Sequence, residues 1–393
     1  MKKLSKRIGC VMLAGALGVM GFAGCGKEEP VDGSAEAMKI NETSVNMGAA
    51  NFFLRYQQAT TLSYYAMFGM DTSNVFDTEG EDGKTTGEST KESSQDTLEE
   101  MYLLKEHMGD YEVSLSDEEI AAADEAADAF ISANNEDLIT KIGATKEDVS
   151  EILQLYAIQD KIFDPMVVDT DTEVSDEEAA QSTVTYVRIS TEGTETDADG
   201  NTVALSDEEK AEKKAQAEQI IEAVEATGDV ANADMDAIAK EVDETLTASA
   251  VSYGDDDTSM DESVKTAAAE LKDGELSGDV VESDTAYFVV RLDKAFDEEK
   301  TEAKKTEIVE SRKQDTYDEI LKGWKDDAKV TTSKAWDNLK VTDADVYTFK
   351  TAEETTDTTS TSTTSTSADA ATTSTSATST STDAAATSSS AAE

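Results

Sequence analysis

Cys25 is the residue whose type and place in the chain most plainly invite chemistry. Lys2, Lys3, Lys6 and Arg7 come first, then the apolar run Ile8 to Phe22, then Ala23 and Gly24 directly before the thiol. A basic start, a short apolar stretch and small residues are the order of a secretory signal, since about 15 apolar residues cannot cross a hydrocarbon core roughly 30 Å thick. The other cysteine, Cys10, lies inside that leader, so a chain cut before Cys25 has no disulfide partner and must be held by burial alone. Other candidates are weaker. Asp197, Asp199 and Asn201 share a turn but lack the remaining ligands of a calcium loop. Asp255-Asp256-Asp257 reads as a solvated acidic loop, and the single histidine, His107, falls on a helix where a structural role is expected. With no nucleophile beside a base and no phosphate-cradling glycine loop, neither a metal nor a cofactor is expected.

The stretch Phe22-Ala23-Gly24-Cys25 resembles the lipobox of bacterial lipoproteins, with Phe22 where leucine is usual. That resemblance implies a diacylglycerol on the Cys25 sulfur, cleavage that leaves this cysteine first, and a fatty acyl group on its amine. Two or three acyl chains, at ~0.8 kcal/mol per buried methylene, hold a protein firmly where one is marginal. The expected location is the extracytoplasmic face of a membrane.

The elements behind these residues are mostly helical. Met38 to Val45 reads as a brief strand, and a helix follows from Met47 to Met70 with Phe52, Phe53, Tyr56, Ala59, Leu62 and Tyr65 on one face. Residues 71 to 94 lack periodicity and read as a loop. Helical patterns resume at Thr97 to Met108, Asp117 to Asn134, Glu136 to Ile142 and Lys146 to Met166. The tetrad Ser-Asp-Glu-Glu at 116–119, 175–178 and 206–209 predicts three helix starts, because the serine and the last glutamate can form a capping box and the acids suit the N-terminal dipole.

From Ser182 strand and helix patterns alternate. Thr183 to Ser190 is β-prone, 197–201 is a turn, and helices are expected over Asp207 to Ala226, Met235 to Val242 and Met260 to Leu271. Leu246 to Tyr253 is extended or irregular, Leu276 to Val281 follows a glycine turn, and Ala286 to Leu292 closes the unit as a strand. A long helix from Glu298 to Lys329 then carries apolar residues too sparse for solitary stability, so it must pack on the earlier helices. Trp336 to Phe349 is a last apolar patch that adds a strand. The fold class expected is α+β. Beyond Lys350 the chain is almost wholly Thr, Ser and Ala, a composition that cannot offset backbone ordering and is expected to be disordered.

The balance of 33 basic against 86 acidic side chains, a formal charge of −53, repels nucleic acid and anionic lipid. Neither is expected as a partner; the first reading of such charge is a solvated surface that deters aggregation, and the second is attraction of basic, unfolded polypeptide.

A lipobox, a helical segment, an inserted α/β unit and a returning helix together resemble the PrsA-type foldase lipoproteins, which combine a SurA-like helical chaperone lobe with a parvulin peptidyl-prolyl isomerase domain. The stretches that carry the resemblance are Met47-Gly48-Ala49-Ala50-Asn51-Phe52-Phe53-Leu54-Arg55-Tyr56-Gln57-Gln58 and Ala268-Ala269-Glu270-Leu271-Lys272-Asp273-Gly274-Glu275-Leu276-Ser277-Gly278-Asp279-Val280-Val281. It implies a signal over 1–24, an anchor spacer over 25–37, a chaperone lobe over 38–168 completed by 297–349, a parvulin-like domain over 182–296 and a tail over 350–393. In parvulins two histidines flank the isomerised amide. Their family positions hold Tyr186 and Phe288 in this sequence, so the resemblance implies a degenerate domain with weak or no activity. Tyr287 and Tyr253 are the candidates to line any remaining pocket. Tyr64 and Phe68, in a helix with more aromatic and methionine residues than one face can bury, are the candidates to hold unfolded secreted polypeptides.

Three other readings stand beside this one. An isomerase still active through an apolar pocket and a tyrosine donor would show proline turnover. A solute-binding lipoprotein of a transporter predicts two similar α/β lobes, and a wall-spanning spacer rests on the tail alone.

Overall fold

The structure is a computed structural model and describes residues 22–25, 29–193 and 204–349; the turn at 197–201 and the tail beyond Lys350 lie outside the described residues, as does Cys10. It is an α+β protein with a helical lobe and an inserted antiparallel sheet unit. β1 is Phe22–Cys25, β2 is Glu36–Ile40 and β3 is Thr43–Asn46. The helices that follow are α1 (Met47–Met67), α2 (Thr86–His107), α3 (Asp117–Ala133), α4 (Glu136–Ile142) and α5 (Lys146–Met166). The inserted unit holds β4 (Ser182–Ser190), α6 (Asp207–Ala226), α7 (Met235–Val242), β5 (Ala248–Tyr253), α8 (Glu262–Ala269), β6 (Glu275–Leu276), β7 (Val281–Glu282) and β8 (Ala286–Lys294). The chain returns through α9 (Glu298–Asp327), β9 (Val330–Thr332), α10 (Lys334–Asn338) and β10 (Val346–Phe349).

Capping chemistry sets most helix starts. Thr85 with Glu88, Ser116 with Glu119, Thr145 with Asp148, and Ser206 with Glu209 each form a reciprocal capping box. The first of these moves the start of α2 well upstream of Thr97, into residues expected to be loop. Its polar first half presents Gly87 and Ser94 inward, a face too small for apolar periodicity to register. The tetrad at 175–178 does not start a helix: Ser175 accepts from the Glu178 amide, one turn forms, and the chain enters β4. Glu178 pairs instead with Arg312 of α9.

The Met47–Gln58 stretch works as a clamp. Asn46 caps α1 and donates to Asp148, and Asn51 donates to the Ile142 carbonyl at 2.8 Å. Arg55 is fully buried, 4.9 Å above the Tyr347 ring, and donates to the Lys340 carbonyl. Gln58 donates to the Asp345 carbonyl, so one helix face grips the C-terminal segment of the lobe. Strand β9 adds to β2, with Met38 opposite Thr332, which ties the returning chain to the first hairpin. The α9 residues Tyr317 and Leu321 close a second core with Leu104, Ile158, Ile162 and Met166.

The chain before β2 packs on the lobe. In residues 29–37, Val31 donates to the Lys141 carbonyl, Gly33 accepts from the Gly48 amide, and a Cβ on Gly33 would lie 1.8 Å from the Gly143 carbonyl oxygen. Phe22, assigned to the removed leader, is 1% exposed and packs among Phe52, Phe130, Tyr347 and Phe349, because an aromatic ring at the end of β1 finds an aromatic core within reach.

Entry and exit of the inserted unit lie side by side. Asp297 accepts from Thr183 at 2.8 Å and from Lys294 at 3.1 Å, its amide donates to Gln181, and Gln181 in turn donates to Thr301. Burial would raise the Asp297 carboxyl, but hydrogen bonds from Thr183, Lys294 and the Lys300 amide outweigh it and hold the group below its ordinary value.

Candidate peptide-binding surfaces

The sheet of the inserted unit runs β5-β4-β8-β6, all antiparallel, with β7 pairing the far part of β8. Because successive strand residues alternate faces, β4 and β8 each feed two cores. Val184, Ala286, Phe288, Val290 and Leu292 face α8 with Tyr253, Val264 and Ala268, and Tyr186 packs against them. Val187, Ile189 and Val289 face α6 and α7, and Tyr287 packs there.

Tyr186 and Phe288 therefore meet, ring centroids 5.7 Å apart at 74°, an edge-to-face pair worth about 0.5–1.5 kcal/mol beyond its area. Phe288 is 2% exposed, so its ring fills the space between sheet and α8. Tyr253 stands on the same face; burial pushes its phenol above the ordinary value, with the Ser182 side chain acting the other way, and it stays neutral at physiological pH. Tyr287 does not join them. One residue from Phe288 along β8, it points to the opposite face, so of the two tyrosines expected near the pair only Tyr253 is on the right side.

The charged cluster of the unit is structural. Arg291 pairs with Asp293 at 2.6 Å and donates to the Val230 and Ala233 carbonyls, while Thr185 donates to Asp293. Arg291 Nε and Nη1 and the Thr185 hydroxyl are thus spent on backbone or on a neighbour. Gly274, in the Lys272-Asp273-Gly274-Glu275 turn, has φ of +77°, and the Glu275 carboxylate accepts from the Lys272 amide. Among the described residues no three His, Cys, Asp or Glu side chains gather as a metal would require.

The helical lobe offers a different surface. Phe52 and Phe53 are buried, as a core face demands, but the last turn of α1 and the residues beyond it leave the core: Tyr64 is 55% exposed, Met67 72%, Phe68 59% and Met70 42%. Tyr64 and Phe68 lie one helical turn apart with ring centroids 4.7 Å apart. This is an apolar, deformable patch of two rings and two thioethers. His107 is elsewhere, stacked on Trp324 and paired with Asp110, and takes no part. Cys25 is placed only through its backbone, opposite Val346 in the β1–β10 pair.

No family model matches the chain, and no curated protein matches it. One similar solved structure comes from work describing PEB4 and Cj1289 as two structurally related SurA-like chaperones in the human pathogen Campylobacter jejuni; it is 10% identical over 76% of this chain and 100% of that one, with a TM-score of 0.26. A superposition that loose says nothing about activity. Among the described residues no helix is long and apolar enough to cross a membrane.

Proposed function

We propose that the chain is an extracytoplasmic chaperone for unfolded secreted polypeptides, held to the membrane by lipid on Cys25, whose inserted unit is a parvulin-like domain without isomerase chemistry. The observation that carries this reading is the exposed patch of Tyr64, Met67, Phe68 and Met70. Large apolar side chains exposed together are uncommon on a soluble surface and mark interaction sites, and methionine adapts to varied partners. A formal charge of −53 over the chain keeps the chaperone itself dispersed while it holds aggregation-prone chains.

The inserted unit supports the second half of the reading. Rotation about a prolyl bond needs a site where the twisted amide is held better than the planar one. The Tyr186–Phe288 face presents a packed aromatic pair, with Phe288 in the core instead of lining an open site. The solute-binding alternative loses ground, since it requires two α/β lobes and this unit has a single antiparallel sheet.

The test is suppression of aggregation of a chemically denatured secreted protein, followed by light scattering. The wild-type chain suppresses it at near-stoichiometric amounts, and a Tyr64→Ser, Phe68→Ser double variant does not; undiminished suppression by the variant rejects the patch.

A further inference from the structure

The outer side of β5 is a strand edge that the fold leaves open. Its direction follows from the hydrogen bonding of the whole sheet, because in an antiparallel sheet the backbone groups of successive residues point alternately to the two sides of a strand. The Ser277 amide donates to the Val290 carbonyl and the Gly274 amide to the Leu292 carbonyl, so Val290 and Leu292 turn toward β6. Val289 and Arg291 therefore turn toward Val187 and Thr185 of β4, and Val184 and Tyr186 turn toward Val251 and Ser249 of β5. That leaves Ala248, Ala250 and Ser252 directing their backbone groups away from the sheet. The Ala248 amide confirms the direction, since it donates to Asp236 of α7 at 3.1 Å. The amides of Ala250 and Ser252 point the same way, and among the described residues no strand pairs with β5 on that side.

Sheet edges are ordinarily blunted by charge, proline or a bulge. β5 has none of these: it reads Ala-Ser-Ala-Val-Ser-Tyr, keeps an unshifted register through all six pairs with β4, and leaves Ser249 and Ala250 exposed. Acid stands at both of its ends instead. Glu244 precedes the strand and Asp255 and Asp256 follow it, all three exposed and none in an ion pair among the described residues. We propose that this edge receives, by strand addition, an extended segment of unfolded polypeptide with small or β-branched residues in its middle and Lys or Arg at both ends. Charge decides the occupant. A second copy of the chain pairing edge to edge would bring the acidic ends of the two strands together, like charge against like, whereas a segment with basic ends meets opposite charge at each end.

The inference rests on the chaperone reading above for what the client is, while the edge itself uses no residue of the Tyr64–Phe68 patch. It also lies outside the packed Tyr186–Phe288 face, because main-chain pairing runs in the plane of the sheet and leaves that face as it is. Strand addition reads backbone more than side chain, which suits a protein that takes many sequences, and the acidic ends add a preference for basic ones. A chaperone with a strand edge and an apolar patch holds one client at two points, and avidity follows without further contacts.

The probe is a fluorescein-labelled peptide, Lys-Arg-Val-Thr-Val-Thr-Arg-Lys, added to the full chain at physiological ionic strength and read by polarisation. It binds saturably and slows hydrogen exchange over residues 248–253. A peptide with Glu at its four basic positions binds at least about tenfold more weakly, as does one N-methylated at its four central residues. Ala250→Pro, which removes an outward amide at a position where an edge strand tolerates proline, weakens the probe by a similar factor. Should that variant unfold, the Glu244→Lys, Asp255→Lys, Asp256→Lys variant decides: it loses the basic peptide and gains the acidic one. Absence of saturable binding overturns the proposal. So does undiminished binding of the N-methylated peptide, which would make the attraction one of charge alone, and so does a concentration-dependent dimer that Ala250→Pro abolishes, which would give the edge to a second copy. The Tyr64→Ser, Phe68→Ser variant retains full peptide affinity, so failure of the apolar patch and failure of this edge are read separately.

Discussion

The His107 imidazole lies flat against the Trp324 indole, centroids 4.2 Å apart and planes 11° from parallel. His107 ends α2 and Trp324 belongs to α9, so this contact joins the first helices of the lobe to the helix that returns after the inserted unit. Tyr111 adds an edge at 6.0 Å from Trp324, and Lys325 reaches Glu100 at 2.9 Å beside it. Trp324→Ala is expected to cost about 2–3 kcal/mol in urea denaturation, through lost burial and stacking. His107→Gln, which keeps most of the contact area, is expected to cost under about 1 kcal/mol. Equal costs would place the energy in the imidazole itself.

The carboxyl of Asp297 gives the junction of the two units a pH dependence. Its folded pKa lies below the ordinary 3.8, so the stabilisation it contributes is fully present above that value and is lost as pH falls through the lower, folded one. Hydrogen exchange at the amides around residues 181–183 and 297–301 is expected to quicken as pH drops from about 5 to about 2, after correction for intrinsic rates. An Asp297→Asn variant starts less protected and changes less across the same range.

Prolyl isomerisation by the inserted unit is expected to be no faster than the uncatalysed reaction, which takes tens of seconds. A protease-coupled assay on a prolyl peptide checks this. Phe288→Ala should lower stability by about 3–5 kcal/mol, as removal of a core ring does, without changing a rate that was never catalysed. Robust turnover in the wild type, lost in Phe288→Ala or Tyr186→Ala, would restore the enzyme.

Gly274→Ala is expected to destabilise the inserted unit by at least about 1 kcal/mol, because φ of +77° excludes most side chains and a Cβ there would lie 2.7 Å from the Ala231 Cβ. A matched Gly323→Ala, where nothing lies within 4 Å and the position is helical, should stabilise or leave the protein unchanged by thermal melt.

Much of this architecture was legible in the sequence. Strong periodicity and caps placed α3, α4, α5, α6, α7 and α9 within a few residues, and the β-prone runs around Thr185 and Val289 became the central strand pair. What escaped had physical reasons. The first half of α2 carries serine, threonine and charge, so only its Thr85–Glu88 box marked it. The Ser175 tetrad has the right cap but no apolar face to bury, and stops after one turn. For the site, exposure of Tyr64 and Phe68 followed from one helix holding more aromatics than a single face can cover. Strand alternation alone places Tyr287 and Phe288 on opposite faces of the sheet. The packing around Phe22 was not visible, since its neighbours come from α1, α3 and β10, far apart in the chain.

Photochemical cross-linking tests the central claim most directly. A photoreactive phenylalanine analogue in place of Phe68 should cross-link a denatured secreted protein, while the same analogue in place of Val168, which is 74% exposed and stands outside the patch, should not. Cross-links that are absent at both positions, or equal at both, would contradict a specific grip at the end of α1.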